Sequence, residues 1–418
     1  MTTENTLSFP TFFLKRNTPA ITMYSDDFSQ NIHQHFAWMR ENAPVYHTRY
    51  ARWKDAYLIT RYDDVQAILK DDRLLKNPNN AKTDSGQSTM FWTPKPFRAL
   101  MHNMLNTDEP DHRRLRNLVH KAFTPRRINE LEPRIQVIAD ELLDKARQQA
   151  SVDLVQSYAL PLPVTVIADM IGIPEEERPQ FFAWTRKIIV IPTPLNMMLA
   201  IPPLMALMSY LRKLANKRRV EPQDDLLTAL VQAEDEQGDR FTEDELLGML
   251  FLLLVAGYET TVGLIANGTL ALLSHPDQLE MLRNDPSLIE SAVEELLRYD
   301  GPLQTTEMSF AREEFAMHGV EIPKGATVLP AILSANRDEQ VFARADELDI
   351  TRSPNRHLAF GQGIHYCLGA PLARLEAKIA FNTLLERSPE LQLDVEQEKL
   401  RYQNMIIVHR LTELPVRI

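Results

Sequence analysis

The chain has 418 residues, of which 44% are hydrophobic and 25% charged, and it carries a formal net charge of −11. This acidic balance argues against a nucleic-acid binder, because phosphate binding needs a surplus of Lys and Arg, and the single cysteine excludes internal disulfides and cysteine-rich zinc sites. The length alone would predict two or three domains at about 150 residues each. The sequence has no Gly/Ser linker and no internal repeat, which favours one continuous domain over 1–418.

The N-terminal region shows no basic start followed by an apolar run, so we expect neither a signal peptide nor a membrane anchor, and a cytoplasmic location. The first predicted elements are a hairpin over 45–60 and a helix over 61–71. Helices then dominate, because apolar residues recur at spacings of three and four over 112–123, 128–149, 242–273, 288–299 and 371–388. Short extended pieces near 305–330 and after 400 make the predicted fold class mainly α with a minor β region.

Two long uncharged runs stand out. The segment 246–258 is apolar on every side of a helix and follows a capping-box pattern at Thr242 and Glu245, so it predicts a helix through the protein centre. The run 188–211 has no charge, but its four prolines would break a membrane helix. It is interpreted either as buried core or as a flexible, Met-rich lid over a ligand site.

The only cysteine, Cys367, lies in the segment FGQGIHYCLGAPLAR (360–374), directly before a predicted helix. Three glycines, Gly361, Gly363 and Gly369, allow tight turns and the close approach of a flat group. A helix N-terminus and turn N–H groups favour a thiolate. A thiolate without neighbouring Cys or His ligands suits an axial bond to haem iron, whereas a free cysteine is otherwise most often a small buried hydrophobe.

This segment resembles the haem-binding signature of the cytochrome P-450 superfamily. The resemblance implies haem b as cofactor, bound between a long central helix and the helix that follows the cysteine loop. It makes Cys367 the proximal ligand of the metal, places Phe360 against the haem, and gives Gly361, Gly363 and Gly369 the shaping of the loop.

A second motif, VAGYETT (255–261), lies in the central apolar helix and resembles the family's central-helix motif. Small residues, Ala256 and Gly257, would leave space for the haem and O2, and the Thr260 hydroxyl can bond back to the Ala256 carbonyl. The resemblance implies a proton relay in which Thr260 holds dioxygen and water and Glu259 brings protons from solvent.

A third motif, EELLR (294–298), places Glu295 and Arg298 on one helix face. It matches the family's structural Glu-x-x-Arg pair. We expect Arg337 or Arg356 to be the third partner.

Haem propionates need cationic or donor groups, and the resemblance assigns this role to His112 and Arg116, one helical turn apart, and to His357. The family's usual propionate-binding Arg falls on Ser309 in this chain. Either Ser309 or another residue, with Arg312 three positions later, is expected to replace it.

The implied reaction is monooxygenation, in which one oxygen atom of O2 is inserted into a small apolar organic substrate by hydroxylation or epoxidation. The chain resembles soluble bacterial members that tailor polyketides, macrolides and fatty-acyl compounds. Its one cysteine cannot hold an iron–sulfur cluster, so electrons should come from a ferredoxin and ferredoxin reductase, or a flavodoxin-type donor. The expected docking patch consists of Arg113, Lys121, Arg126 and Arg127, although such clusters are also common on solvated helix faces.

Residues expected near the substrate are Trp92, Phe97, Met197, Met198 and Met405, all of which could equally belong to the core. Two other functions are considered. A peroxide-driven peroxygenase is disfavoured by the intact Glu259–Thr260 pair, and a non-catalytic haem-thiolate sensor has no sequence feature in its favour.

Overall fold

The computed structural model describes residues 21–51, 54–81, 100–188, 194–234 and 238–418. The predicted substrate residues Trp92 and Phe97 lie outside these ranges, as does the side chain of Met197.

Helices form most of the described structure, as the spacing of apolar residues predicts. Those of the N-terminal half are α1 Asp26–Gln30, α2 Ile32–Asn42, α3 Tyr62–Ile68, α4 Asp111–Ala122, α5 Pro125–Glu130, α6 Glu132–Ala146, α7 Pro161–Ile171 and α8 Arg178–Ile188. Those that follow are α9 Pro194–Val220, α10 Leu226–Gln232, α11 Glu243–Ser274, α12 Pro276–Asn284, α13 Ile289–Asp300, α14 Ile332–Ala335 and α15 Ala370–Arg387.

The described residues form three small sheets, which make up the minor β component. Their strands are β1 Val45–Ala51, β2 Lys54–Ile59, β3 Leu74–Leu75, β4 Val152–Asp153, β5 Ser309–Ala311, β6 Phe315–Met317, β7 Val320–Ile322, β8 Thr327–Pro330, β9 Gln392–Leu393 and β10 Pro415–Arg417. A five-stranded sheet has the order β1-β2-β8-β5-β3, a three-stranded sheet the order β4-β10-β9, and β6 pairs with β7. The predicted hairpin over 45–60 is β1 and β2, in antiparallel register, with Val45 opposite Ile59.

The central helix α11 begins as predicted. The Thr242 hydroxyl accepts a hydrogen bond from the Glu245 N–H at 3.3 Å, and the Glu245 carboxylate accepts one from the Thr242 N–H at 2.8 Å. Its 32 residues span about 48 Å at 1.5 Å per residue. Among the described helices it is the one long and apolar enough to cross a membrane, but 61% of its most apolar stretch is buried inside the protein, as in a core helix.

Proline has different effects in two segments, the predicted helix 128–149 and the uncharged run 188–211. The predicted helix 128–149 is two helices, α5 and α6, because Pro133 in the first turn of α6 has no N–H to continue the helix from α5. In α9, by contrast, Pro202 and Pro203 lie inside the helix and do not end it.

The described part of the run 188–211 has both buried and exposed side chains, so neither the core nor the lid interpretation describes it alone. One face of α9 packs Leu204, Leu207 and Leu211 into the core, whereas Met198 and Leu199 are 61% exposed.

Candidate active site

A cavity of about 810 Å³ separates the middle of α11 from the loop that precedes α15. Its volume is near the upper end of the range for small-molecule and cofactor sites. The sequence-predicted residues that line it are His112, Arg116, Ala256, Thr260, Phe360, Gly361, Gly363, Cys367 and Gly369. The structure thus brings residues from α4, α11 and the cysteine loop to one cavity.

The backbone conformation of the cysteine loop depends on its glycines. Gly361 and Gly363 have φ values of 67° and 72°, which glycine adopts without strain. A Cβ on Gly363 would also come within 2.8 Å of the Leu69 carbonyl oxygen, so this position excludes larger residues. The Cys367 N–H donates to the Phe360 carbonyl at 2.9 Å, and the Cys367 side chain is exposed to the cavity.

The electrostatics of the thiol differ from the sequence expectation. Burial raises the pKa of the Cys367 thiol, although the N–H groups of Gly369 and Ala370 and the Arg116 charge act in the opposite direction. The expected backbone donors are therefore present but do not outweigh desolvation. A metal ion bonded to the sulfur would favour the thiolate.

The middle of α11 has the predicted hydrogen bond from Thr260 back to Ala256. Ala256 is exposed towards the cavity, whereas Leu254 and Tyr258 are buried, and the Thr260 hydroxyl donates to the Ala256 carbonyl at 2.9 Å. Gly257 has an additional reason to be small, because a Cβ there would lie 2.6 Å from Ile167 Cδ1 of α7. Its lack of a side chain allows α7 and α11 to pack closely.

Glu259 is buried and does not line the cavity. Its carboxylate accepts a hydrogen bond from Arg410 Nε at 2.9 Å, in an ion pair whose side chains are 7% and 12% exposed. The sequence reasoning did not find this partner. Asn267, two turns further along α11, donates to the His409 carbonyl at 2.9 Å, so the same face of the helix fixes the segment that carries Arg410.

Donor groups cluster at the end of the cavity near α4. His112 is 1% exposed, and its Nε2 has no hydrogen-bond partner among the described residues. Arg116 donates to the Tyr366 carbonyl at 2.8 Å. His365, two residues before Cys367, also lines the cavity, and its ring centroid lies 4.3 Å from that of His112.

Both histidines in this cluster are held neutral. Burial and, after it, Arg116 lower the pKa of His112, and burial lowers the pKa of His365 to about 3, with Lys76 as the next cause. An uncharged imidazole keeps one N–H donor, so the pair can donate hydrogen bonds to an anion. His365 was part of the quoted motif but was given no role from sequence.

The structure does not bring His357 to the cavity wall. Its Nε2 lies 3.1 Å from a Glu294 carboxylate oxygen, and its Nδ1 accepts from the Ala359 N–H at 3.2 Å. Both ring nitrogens are therefore occupied within the protein. Ser309 and Arg312 do line the cavity, so either can supply the donor that the sequence pattern lacks.

The Glu295–Arg298 pair is completely buried and bidentate, with both N–O distances at 2.8 Å. Its third partner is Arg352, whose Nε lies 3.1 Å from both Glu295 oxygens, so the expectation of Arg337 or Arg356 is wrong. Arg337 instead donates to the Tyr299 carbonyl at 2.7 Å. The loop that follows α14 determines which arginine reaches the carboxylate, and no helical spacing encodes that loop.

A further carboxyl group lies in the cavity wall on α15. Glu376 is 1% exposed, and its Oε1 has no hydrogen-bond partner among the described residues. Burial raises the pKa of Glu376 to about 8, against a smaller opposite effect of a hydrogen bond with Thr261. The group is protonated at neutral pH.

The predicted surface and substrate residues are placed as follows. Arg113 and Arg126 are largely exposed but pair with Glu109 and Glu130 of their own helical region. Met405 is half-buried and is not part of the cavity wall. Apolar residues of α11, Leu252, Leu253 and Leu264, line the cavity instead.

The residues around the cavity fit a haem group. A cysteine sulfur faces the space, and two neutral histidines and an arginine offer donors to carboxylates. Within the described part of the chain, the buried Nε2 of His112 has no partner. A buried donor of this kind is costly unless a ligand satisfies it. Apolar walls on α11 suit the flat face of a porphyrin.

The comparisons with known proteins agree with this geometry. The family model described as Cytochrome P450 matches residues 20–412. Cytochrome P450 107B1 of Saccharopolyspora erythraea is 45% identical over 96% of this chain and 98% of its own length.

Solved structures superpose over nearly the whole chain. The cytochrome P450 PksS of the Bacillus subtilis bacillaene polyketide synthase has a TM-score of 0.89 and 41% identity, over 95% of this chain and 99% of its own. A myxobacterial cytochrome P450, CYP267B1, in complex with myristic acid, has a TM-score of 0.87 and 38% identity, over 94% and 98%. The chain therefore belongs to the cytochrome P450 family, and it is a haem-thiolate monooxygenase.

Proposed function

We propose that this enzyme oxidises an apolar organic substrate of the polyketide, macrolide or fatty-acyl class, using haem b and electrons from a ferredoxin and its reductase. The observation that carries the proposal is the single cavity that joins Cys367, the Ala256–Thr260 turn and the His112–Arg116 donors. The polyketide-synthase origin of PksS and the myristic acid bound to CYP267B1 support the substrate class. A cytoplasmic location is part of the proposal.

The positions of the lining residues support an assignment of those that would hold the haem. Cys367 would provide the sulfur ligand, and His112, Arg116 and His365 would donate to the propionates, which would satisfy the His112 Nε2 that has no partner among the described residues. Phe360 and the backbone of Gly361, Gly363 and Gly369 form the wall on the cysteine side. When bound, haem supplies the redox chemistry by which O2, two electrons and two protons oxidise the substrate and release water.

Two polar residues of α11, Thr260 and Glu259, bind and transfer protons beside this site. Because the Thr260 hydroxyl donates its own proton to the Ala256 carbonyl, its oxygen is free to accept a hydrogen bond from a water or a protonated group in the cavity. Glu259 is the adjacent carboxylate, and it must leave Arg410 to carry a proton towards Thr260. Leu252, Leu253 and Leu264 keep the rest of the wall apolar and exclude water from the substrate.

In this proposal, the electron-transfer protein docks on a surface that includes Arg113, Lys121, Arg126 and Arg127. These cations lie on α4 and α5, α4 also carries the expected propionate donors, and Arg113 itself lines the cavity, which supports a patch near the haem site. Charge complementarity with an acidic ferredoxin would raise the association rate more than the final affinity.

The substrate class is tested by titrating the ferric holoprotein with macrolides, polyketides and fatty acids, and following the haem spin state. A saturable low-to-high spin shift with members of these classes is expected, since a bound substrate displaces water from the iron. Turnover is then measured with NADPH, ferredoxin and reductase, alongside hydrogen peroxide alone. Product formed only with peroxide would show a peroxygenase, and a complete lack of spin shifts across these classes would contradict the proposed substrate.

A further inference from the structure

Away from the haem cavity, three side chains from distant parts of the chain meet at one point. His33 of α2 and His409 of the C-terminal segment both direct Nε2 at Asp300, the last residue of α13. The distances to the same oxygen, Asp300 Oδ1, are 2.7 Å from His33 and 3.2 Å from His409. All three ligand-type atoms lie within 4.8 Å of one another.

We propose that His33, Asp300 and His409 form a binding site for a divalent transition-metal ion of the zinc type. Two imidazole nitrogens and one carboxylate oxygen are ligands that zinc prefers. In a tetrahedral site with bonds of about 2.1 Å, ligand atoms lie about 3.4 Å apart. The His409 to Asp300 distance already has nearly this value, and His33 would need to withdraw by roughly 0.7 Å on the same basis.

Neighbouring groups already orient two of the ligands. The Tyr402 hydroxyl donates to the second oxygen of Asp300 at 3.1 Å, and the Tyr402 ring stacks on His409 at a centroid distance of 4.1 Å. The Asn267 amide donates to the carbonyls of Asp300 and His409 at 3.2 and 2.9 Å. Such outer contacts leave Asp300 Oδ1 for the metal and fix the ring plane of His409, as supporting groups do in metal sites.

The three ligands differ in exposure, and the more exposed His33 marks the side from which a metal ion can enter. The side chains of Asp300 and His409 are 9% and 2% exposed, whereas His33 is 29% exposed. Three protein ligands leave a fourth position for water on the His33 side.

One cation, Arg337, lies close enough to act electrostatically on His33. It is engaged elsewhere, with its guanidinium 3.9 Å above the Tyr299 ring. Its charge opposes that of the metal, so we expect zinc to bind reversibly and to be removed by a chelator.

The test uses the tag-free holoprotein, stripped with EDTA, incubated with zinc and desalted, and its metal content is measured by mass spectrometry. We expect one zinc per chain in addition to the haem iron, and a rise in thermal midpoint on adding zinc. His409→Gln should lose both effects, and His33→Gln should weaken both. The matched control is His318→Gln, because His318 also pairs with a carboxylate, Asp64, at 2.7 Å but is not part of such a three-residue group.

Folding of each variant is checked by its thermal midpoint in EDTA. Because His33 is partly exposed, His33→Gln serves if His409→Gln does not fold. The proposal is overturned if the native protein retains no more zinc than His33→Gln or His409→Gln. None of these readouts requires turnover, so such a result would leave the monooxygenase function untouched.

Discussion

The buried ion pair between Glu259 and Arg410 allows proton delivery to be tested by one substitution, Glu259→Gln. The amide has the shape of the carboxylate, and its carbonyl can still accept the hydrogen bond from Arg410 Nε. Breaking a buried ion pair costs about 3–5 kcal/mol. Since the hydrogen bond survives, we expect a smaller loss of stability and a protein that still binds haem.

The effect on catalysis should be larger than the effect on folding. Loss of a positioned proton-transfer group lowers rates by about 10²–10⁴-fold. With a substrate identified by the spin-state titration, kcat of Glu259→Gln should therefore fall by at least about 100-fold. The rate of product formation at saturating substrate is measured for both the variant and the native enzyme, with NADPH consumption followed alongside.

The matched control for this substitution is Glu243→Gln, which lies in the first turn of the same helix. Glu243 is 52% exposed and pairs with Arg212, so its loss should leave kcat unchanged. A Glu259→Gln enzyme that turns over as fast as the native enzyme would refute the role of Glu259 in proton transfer.

Three further predictions concern the cysteine loop, the buried ion pairs of Glu295 and the pH dependence of stability. Gly363→Ala should reduce haem retention and the thermal midpoint more than Gly361→Ala. Both glycines have positive φ, but of the two only Gly363 would place a Cβ against a backbone carbonyl, at 2.8 Å. Equal losses in the two variants would contradict this. Glu295→Ala should destabilise the protein by about 3–5 kcal/mol in urea unfolding, since it leaves buried arginines unpaired, and a loss below about 1 kcal/mol would be inconsistent with that burial. Burial raises the pKa of Glu376 from 4.5 to about 8, so between these pH values the folded protein holds a proton that the unfolded chain has released. The free energy of unfolding therefore falls as pH rises from 4.5 to about 8, by up to about 1.4 kcal/mol per pH unit. Glu376→Gln should remove this dependence on pH. If the difference in unfolding free energy between variant and native protein does not change with pH, Glu376 is not buried as a neutral acid.

Local sequence patterns predicted the parts of the site that depend on neighbouring residues. The capping box at Thr242, the back-bond from Thr260 to Ala256 and the glycines of the cysteine loop all involve residues within a few positions of one another. Helical spacing and turn chemistry determine such contacts directly.

Contacts made across the fold could not be predicted in this way. Arg410 lies 151 residues after Glu259, and Arg352 lies 57 residues after Glu295 in an irregular loop, so no periodicity relates either pair. Two histidines that precede Cys367, His357 and His365, show the same limit. His365 turns into the cavity, whereas Glu294 engages the ring of His357.

The most direct test of the haem-thiolate assignment is the difference spectrum of the reduced protein with and without carbon monoxide. The structure predicts the red-shifted Soret band of a thiolate-ligated haem in the native protein and its loss in Cys367→Ala. A native protein without this band, or a Cys367→Ala variant that keeps it, would contradict the assignment of Cys367 as the ligand.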